Sequence, residues 1–259
     1  MINALKNSAR AAVQRLLATQ GVEVRRRRAQ NGAAIPVLRL LIEHSLLRDG
    51  PGAILQVGAN DGLFDDPVHE IIVQHGLAAV LVEPLPDLFA ELRQNYHGQE
   101  NVYFENCAVG AQPGVATIYR IRSEATQFPE WAQALASFDK SILVGHRAWF
   151  GLSRSEMEKL IEAVRVPVVT IVGLIEKYRQ TGRFVALQVD TEGHDFVIVK
   201  SAVEGGFLPP IIGYEHRNLN YADQWACREL LAAHGYSFWT GDFDTLAYRD
   251  ERPGGLGSR

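Results

Sequence analysis

The architecture of this chain follows from one stretch, Ala53-Ile54-Leu55-Gln56-Val57-Gly58-Ala59-Asn60-Asp61-Gly62. Its first five residues are mostly apolar, as expected of a parallel strand that is covered on both faces. Gly58 and Gly62 then allow the backbone to turn sharply and to bring a ligand against main-chain N–H groups. The stretch therefore predicts a buried strand followed by a loop that binds a nucleotide cofactor.

A dinucleotide is not the favoured cofactor. The dinucleotide fingerprint has glycines at its first, third and sixth positions, but counting from Gly58 the third residue is Asn60 and the sixth is Leu63. The next helix is expected to begin at Asp65-Asp66-Pro67, with an aspartate as N-cap and proline at the first helical position. Carboxylates at that point would repel a pyrophosphate.

A second predicted strand, over residues 78–82, ends in Glu83 about 20 residues beyond the loop. A carboxylate at that position can accept hydrogen bonds from both hydroxyls of a ribose. A glycine loop with this carboxylate, and without phosphate-binding features, indicates S-adenosylmethionine. A plain parallel strand with a tight turn would give the same residues, and this alternative stays open here.

Size and composition favour one large α/β domain with attachments. The chain has 259 residues, of which 47% are hydrophobic and 22% are charged, so a sizeable core is expected. A net charge of −4 gives no reason to expect nucleic acid as a partner. The two cysteines, Cys107 and Cys227, are too few for a disulfide framework or a zinc site, which favours a reduced, cytoplasmic compartment.

The N-terminal 50 residues are expected to form a helical arm. Apolar residues at three- and four-residue spacings predict an amphipathic helix over 2–19, and a second helix is expected over 37–47. Residues 1–28 carry a local charge of +6, so this segment could lie on an anionic membrane surface. Packing on the domain, or on a second copy of it in a homodimer, is the favoured alternative. Residues 251–259 are expected to be a flexible tail.

Strands and helices alternate over residues 51–250, which predicts a doubly wound, mostly parallel, seven-stranded sheet. An antiparallel pair, 236–239 with 245–248, is expected to close it. Because the carboxyl ends of parallel strands meet at one crevice, Gly58, Glu83 and Asn106 should converge. The other expected core strands are 102–105, 184–189 and 211–214.

An insert over residues 123–165 interrupts this alternation. Its helix-like pieces are 131–135, 140–147 and 153–164, and an edge strand is expected just before it, over 117–122. Long inserts beside a crevice are often lids or substrate pockets. The aromatic side chains of this one could equally anchor an extra helical layer.

Two strands are expected to deliver polar clusters to the crevice. One cluster contains Asp190, Glu192, His194 and Asp195, and the other contains Glu215 and His216. Either histidine could deprotonate an acceptor hydroxyl. Asp190, Glu215 and His216 could instead hold a Mg²⁺-like ion, since carboxylates suit hard cations. The third option is that His194 caps a helix and His216 hydrogen-bonds a loop.

Four motifs in order resemble the FkbM family of S-adenosylmethionine-dependent methyltransferases: residues 56–62 (QVGANDG), 82–84 (VEP), 106–110 (NCAVG) and 188–195 (QVDTEGHD). The resemblance implies a class I, Rossmann-like methyltransferase fold and O-methylation of sugar or polyketide hydroxyls in natural products and glycoconjugates. It implies cofactor contacts at Gly58, Ala59, Asn60, Asp61, Glu83, Asn106, Cys107, Ala108 and Asp190.

The leading hypothesis is an O-methyltransferase acting on a hydroxyl of a sugar, glycoconjugate or natural-product acceptor, with Asp190, His194 and His216 as catalytic candidates. One alternative is an NAD-dependent oxidoreductase. The other is a degenerate methyltransferase fold that scaffolds or binds partners, which would be marked by a crevice blocked by side chains.

Overall fold

A computed structural model describes residues 34–125 and 127–249. The expected helix over 2–19, the basic segment 1–28 and the tail 251–259 lie outside these ranges. None of the helices within them combines the length and the apolar character that crossing a bilayer requires.

The helices are α1 (Ala34–Asp49), α2 (His69–His75), α3 (Pro86–Asn95), α4 (Glu130–Ala134), α5 (Lys140–Gly145), α6 (Arg154–Leu160), α7 (Ile171–Lys177), α8 (Asp195–Glu204) and α9 (Tyr221–Ala233), with 3₁₀ turns at His146–Phe150 and Arg179–Thr181. The strands are β1 (Ala53–Val57), β2 (Ala78–Val82), β3 (Val102–Glu105), β4 (Ala108–Val109), β5 (Gly114–Ile121), β6 (Ala136–Ser137), β7 (Ile161–Val169), β8 (Phe184–Val189), β9 (Ile211–Glu215), β10 (Ser237–Thr240) and β11 (Asp244–Tyr248).

The main sheet has seven strands in the order β10-β11-β9-β8-β1-β2-β3. From β9 to β3 neighbouring strands are parallel, and β11 runs antiparallel to both β9 and β10. This confirms the predicted doubly wound sheet and its antiparallel C-terminal pair. The chain order reverses between β1 and β8, where ligand sites of open α/β sheets are found.

Helices cover both faces of the main sheet, which explains the continuous apolar character of β1. Leu55 and Val57 pack in a core cluster with residues of α7, α8 and α9. Ile54 points to the opposite face and packs with residues of α1, α2 and α3. Successive side chains of a strand alternate between faces, so a strand between two helical layers is apolar at nearly every position.

A second sheet, in the order β4-β7-β5-β6, was not expected. The predicted helix over 153–164 is wrong beyond Leu160, because β7 begins at Ile161 and pairs antiparallel with the whole of β5. The strand predicted over 117–122 is present as β5, but its predicted edge position is wrong, since β5 lies between β7 and β6. The insert is therefore a sheet with short helices attached to it.

The aromatic residues of the insert mainly support its own core. Trp131 and Phe150 stack with ring centroids 5.0 Å apart, and both pack against a cluster that includes Ile121 and Leu143. Trp149 differs from them because 49% of it is exposed. The extra-layer interpretation therefore holds for Trp131 and Phe150.

One buried arginine joins the second sheet to the main domain. Arg120 of β5 is 4% exposed, and its Nη1 donates to both carboxylate oxygens of Asp87 on α3, at 2.6 and 2.7 Å. A buried guanidinium needs such a partner to offset its lost hydration. The pair therefore helps to fix the second sheet above the carboxyl ends of the main strands.

Candidate functional site

A cleft with an enclosed volume of about 110 Å³ opens at the carboxyl ends of β1, β2 and β8. The second sheet forms one wall of it, through Val109, Ile118 and Phe138. The opposite wall comes from the ends of the main strands, and its polar lining consists of Asn60, Glu83, Asp190, Thr191 and Glu192.

The glycine loop uses its N–H groups within the protein. Gly58 N and Ala59 N both donate to the carbonyl oxygen of Val82, at 3.0 Å. Asn60 N donates to Glu83 Oε2 at 2.9 Å. A phosphate-binding loop presents such groups to its anion, whereas here they tie β1 to the end of β2.

Position 58 must be glycine because the backbone that follows β8 lies directly against it. Its φ is +83°, a conformation that side chains disfavour. A Cβ at this position would lie 1.7 Å from the carbonyl oxygen of Asp190. The sequence had suggested that this glycine allows a ligand to approach, but it is the backbone after β8 that approaches it.

Glu83 is buried at the end of β2 and held in place by main-chain donors. Its Oε2 accepts from Asn60 N, and its Oε1 accepts from Leu85 N at 2.8 Å. Burial raises the pKa of Glu83 to about 7, against the opposing effect of these two hydrogen bonds. Each carboxylate oxygen keeps a further lone pair for a hydroxyl of a ligand.

Three carboxylates gather at the other end of the cleft. One oxygen from each of Asp190, Glu192 and Glu215 lies within 4.8 Å of the others. Solvent reaches Asp190, yet protein atoms surround most of it. Burial and mutual repulsion raise the pKa of Asp190 and Glu192 well above the usual range, and that of Glu215 to about 9. Such a group could share protons or hold a divalent cation.

Glu192 is held in an unusual conformation. Its φ is +51°, a conformation that a side chain without a local hydrogen bond rarely adopts. Asn218 Nδ2 donates to Glu192 Oε2 at 2.5 Å and to Glu215 Oε2 at 2.9 Å, and Ser137 Oγ donates to the carbonyl oxygen of Glu192 at 2.7 Å. Strain of this kind persists where surrounding contacts fix it, as is typical of functional sites.

A family model for the methyltransferase FkbM domain matches residues 56–238, which include the glycine loop, Glu83 and the three carboxylates. The chain belongs to the FkbM methyltransferase family. No curated protein sequence matches it. With the family established, the seven-stranded main sheet is identified as a class I methyltransferase fold.

Among solved structures, similar ones include the methyltransferase FkbM from Methylobacillus flagellatus KT, with 12% identity over 76% of this chain and 44% of that chain, and a TM-score of 0.46. This chain therefore spans less than half of that protein. The SAH-bound Podospora anserina methyltransferase PaMTH1 has 14% identity over 82% and 77% of the two chains, with a TM-score of 0.39. The Methanococcus jannaschii fibrillarin pre-rRNA processing protein has 10% identity over 78% and 68%, with a TM-score of 0.40.

The cleft of this FkbM-family protein brings together most of the residues for which sequence indicated cofactor contact. Those that line it are Gly58, Asn60, Glu83, Cys107, Ala108 and Asp190. The other three, Ala59, Asp61 and Asn106, are not among the residues that line the cleft. Ala59 is 2% exposed, Asp61 Oδ1 accepts from the N–H groups of Leu63 and Phe64, and Asn106 Nδ2 donates to the carbonyl oxygen of Glu83 at 2.9 Å.

The two histidines with predicted catalytic roles lie outside the set of described residues that line the cleft. The ring of His194 packs against Phe138 with centroids 4.8 Å apart, and burial lowers its pKa. His216 Nδ1 lies 3.1 Å from Thr245 Oγ1, and burial also lowers its pKa. His216 is also not a member of the group of three carboxylates. The sequence had predicted His216 as a metal ligand beside Asp190 and Glu215, and Glu192 is in that position instead.

Asp195 has a structural role. It is fully buried, and its carboxylate accepts from Thr191 Oγ1 at 2.9 Å and from Glu215 N at 3.1 Å. It thereby ties the turn after β8 to the end of β9. Sequence reasoning did not select Asn218 or Ser137, because their partners lie 26 and 55 residues away along the chain.

We expect Gly58→Ala to destabilise the fold strongly. The new Cβ would clash with the Asp190 backbone, which cannot rotate away as a side chain could. The matched control is Gly76→Ala, because Gly76 also has a positive φ, of +58°, but has no atom within 4 Å of its Cβ position. Urea unfolding should show a loss of about 1 kcal/mol for the control and more than twice that for Gly58→Ala. Equal losses would contradict this account.

The free energy of unfolding should fall between pH 7.5 and 8.5. The raised pKa of Glu215 means that the folded state retains a proton which the unfolded state has lost, so ionisation at higher pH destabilises the folded state. Burial lowers the pKa of His69, His194 and His216, so these histidines are neutral throughout this window. One such group lowers the free energy of unfolding by at most about 1.4 kcal/mol for each pH unit.

Urea unfolding of the wild type and of Glu215→Gln at pH 7.5 and 8.5 measures this effect. The slope should be smaller in the variant, whereas Glu91→Gln on the exposed face of α3 should keep the wild-type slope. A wild-type slope that survives in Glu215→Gln would show that Glu215 is already ionised at pH 7.5.

Proposed function

We propose that this protein transfers a methyl group from S-adenosylmethionine to a hydroxyl oxygen of a sugar, glycoconjugate or natural-product acceptor. Its membership in a methyltransferase family supports methyl transfer. The observation that carries the choice of cofactor is the buried Glu83 carboxylate, which faces the cleft beside a loop whose N–H groups are occupied.

These features favour a sulfonium nucleoside over NAD. A ribose needs acceptors for its two hydroxyls, and Glu83 offers them. A pyrophosphate needs free N–H donors, but those of Gly58, Ala59 and Asn60 already have acceptors. Asp190 and Glu192 also disfavour an anion and suit a positively charged group. The donor set therefore fits S-adenosylmethionine.

An open cleft favours an enzyme over a degenerate scaffold. The space between the two sheets is lined by small or polar groups such as Gly58, Ala108 and Ser137, rather than plugged by large side chains. A scaffold would be under no constraint to keep this space or to keep several buried carboxylates in it.

The chemistry requires the chain to orient the acceptor and to take up its proton. When bound, S-adenosylmethionine supplies an electrophilic methyl group on a sulfonium. Glu192 is the carboxylate that we assign as base: it receives the hydroxyl proton as the oxygen–carbon bond forms. Burial and the neighbouring Asp190 raise its pKa, so it binds a transferred proton more tightly than an exposed glutamate does. Asp190 lies beside it and favours the positive charge of the donor.

The same carboxylates could hold Mg²⁺, which would lower the pKa of the acceptor hydroxyl instead. The ligands would be Asp190, Glu192 and Glu215, whose oxygens already lie within 4.8 Å of one another. EDTA treatment distinguishes the two roles. Turnover that survives EDTA supports proton uptake by the protein, and turnover that is lost and restored by Mg²⁺ supports the ion.

Calorimetric titration with S-adenosylhomocysteine should give binding, and titration with NAD should not. Glu83→Gln should weaken that binding by about 10- to 100-fold, since hydrogen bonds to a charged group are worth about 1.5–3 kcal/mol. Binding should also weaken as the pH falls below about 7, because protonation removes acceptors from Glu83. The exposed Glu91→Gln is the matched control. Binding of NAD in preference to S-adenosylhomocysteine would refute the choice of cofactor.

Glu192→Gln should reduce kcat for methyl transfer by about 100-fold or more while leaving the affinity for S-adenosylhomocysteine within a few-fold. Transfer of labelled methyl to a panel of hydroxylated glycans and macrolides measures kcat, and NMR of the product identifies the methylated oxygen. Glu204→Gln, on the exposed end of α8, is the control. If His194→Gln or His216→Gln abolishes turnover while Glu192→Gln does not, the proton goes to a histidine instead.

A further inference from the structure

The guanidinium of Arg217, the residue before Asn218, lies over two aromatic rings. Its guanidinium carbon lies 4.2 Å from the ring centroid of Trp149 and 4.2 Å from that of Phe243. Trp149 belongs to the insert, whereas Phe243 precedes β11 of the main sheet. His146 also stacks on Trp149, with centroids 4.6 Å apart. This stack of planar groups restricts the orientation of the guanidinium.

The N–H groups of this guanidinium have no partner within the described residues. The side chain of Arg217 makes neither a hydrogen bond nor an ion pair there, although other arginines do. Arg39, Arg120 and Arg154, for example, each pair with a carboxylate. Stacking satisfies the two faces of a guanidinium but leaves its five N–H donors in the plane of the group. The exposed edge of Arg217 is therefore free to bind.

Arg217 lies beside the group of three carboxylates, to which we assign the acceptor. Its neighbour Asn218 donates to both Glu192 and Glu215, and the charge of Arg217 acts on Glu192. Glu83, to which we assign the ribose, is at the end of β2, on the far side of β1 from β8 and β9. A group that binds Arg217 would therefore belong to the acceptor rather than to the nucleoside.

We propose that Arg217 binds a carboxylate or phosphate group of the acceptor, so that the enzyme selects an acidic sugar. A guanidinium edge binds either oxyanion through two parallel N–H···O hydrogen bonds. Trp149 and Phe243 are 49% and 44% exposed, and their uncovered surfaces flank the guanidinium where the apolar face of a sugar ring would lie. Because the stack already fixes the side chain, binding costs little further loss of conformational freedom. This inference rests on the proposed methyl transfer.

The role of Arg217 is tested with matched triplets of monosaccharide glycosides. Each triplet consists of a uronic acid, the 6-phosphate of the same sugar and the neutral sugar. Binding to the protein loaded with S-adenosylhomocysteine is measured by calorimetry, and kcat and KM are measured with labelled S-adenosylmethionine. An acidic member should bind about 10- to 100-fold more tightly than its neutral partner. The uronic acid and phosphate arms show which oxyanion is recognised.

Arg217→Met should abolish this preference by raising KM for the acidic member, with little change in kcat. Arg217→Lys should retain only part of it, since an ammonium group neither stacks nor binds in a bidentate manner. The control is Arg228→Met, because Arg228 also stacks on an aromatic ring, that of Phe238 at 4.7 Å, but donates to Thr240 Oγ1. Thermal unfolding of both methionine variants separates a loss of fold from a loss of recognition.

Three results would overturn the inference: neutral sugars that bind as well as acidic ones, an acidic preference that survives in Arg217→Met, or no binding by any triplet. Any of these, together with intact binding of S-adenosylhomocysteine, would leave the proposed methyl transfer standing. Failure to bind S-adenosylhomocysteine would instead refute the proposed function itself.

Discussion

The contact between the ends of β1 and β8 is the constraint on which the cleft depends. Asp190 N donates to the carbonyl oxygen of Val57 at 2.9 Å, and the Asp190 carbonyl occupies the space where a side chain at position 58 would begin. These two strands meet where the chain order of the sheet reverses. Their close approach therefore sets the relative positions of the glycine loop, Glu83 and the acidic cluster.

Electrostatic repulsion is the second feature that organises the cleft. Asp190, Glu192 and Glu215 lie close together, and the ionised form of each carboxylate would be more stable in water than it is here. A cationic sulfonium placed among them would reduce that repulsion. Gathering these like charges lowers the stability of the folded state. A positively charged group that binds among them would recover part of that stability. Glu83 acts separately, because its two main-chain donors stabilise its charged form without a cation.

The sequence predicted the main sheet and the position of Glu83 in the cleft, because a strand covered on both faces has its own apolar signature and carries the residue that follows it into the cleft. The second sheet has no such signature. The apolar spacing of residues 153–164 suits a helix throughout, and only the pairing of β7 with β5, 40 residues or more earlier, makes residues 161–164 a strand. His216 was misplaced for a local reason: it follows the last residue of β9 and lies against Thr245, whereas Glu215 joins the group of carboxylates.

The second sheet begins and ends at nearly the same place. Gly110 N, just after β4, donates to the carbonyl oxygen of Val169 at 2.9 Å, and β4 pairs with the last residues of β7. The segment from Gly110 to Val169 therefore begins and ends at adjacent points of the structure. The long pairing of β5 with β7 lies within this segment. Such a segment could be exchanged as a cassette without moving the strands below. Because this cassette supplies one wall of the cleft, recombination there would change that wall while the wall formed by the main strands stayed as it is.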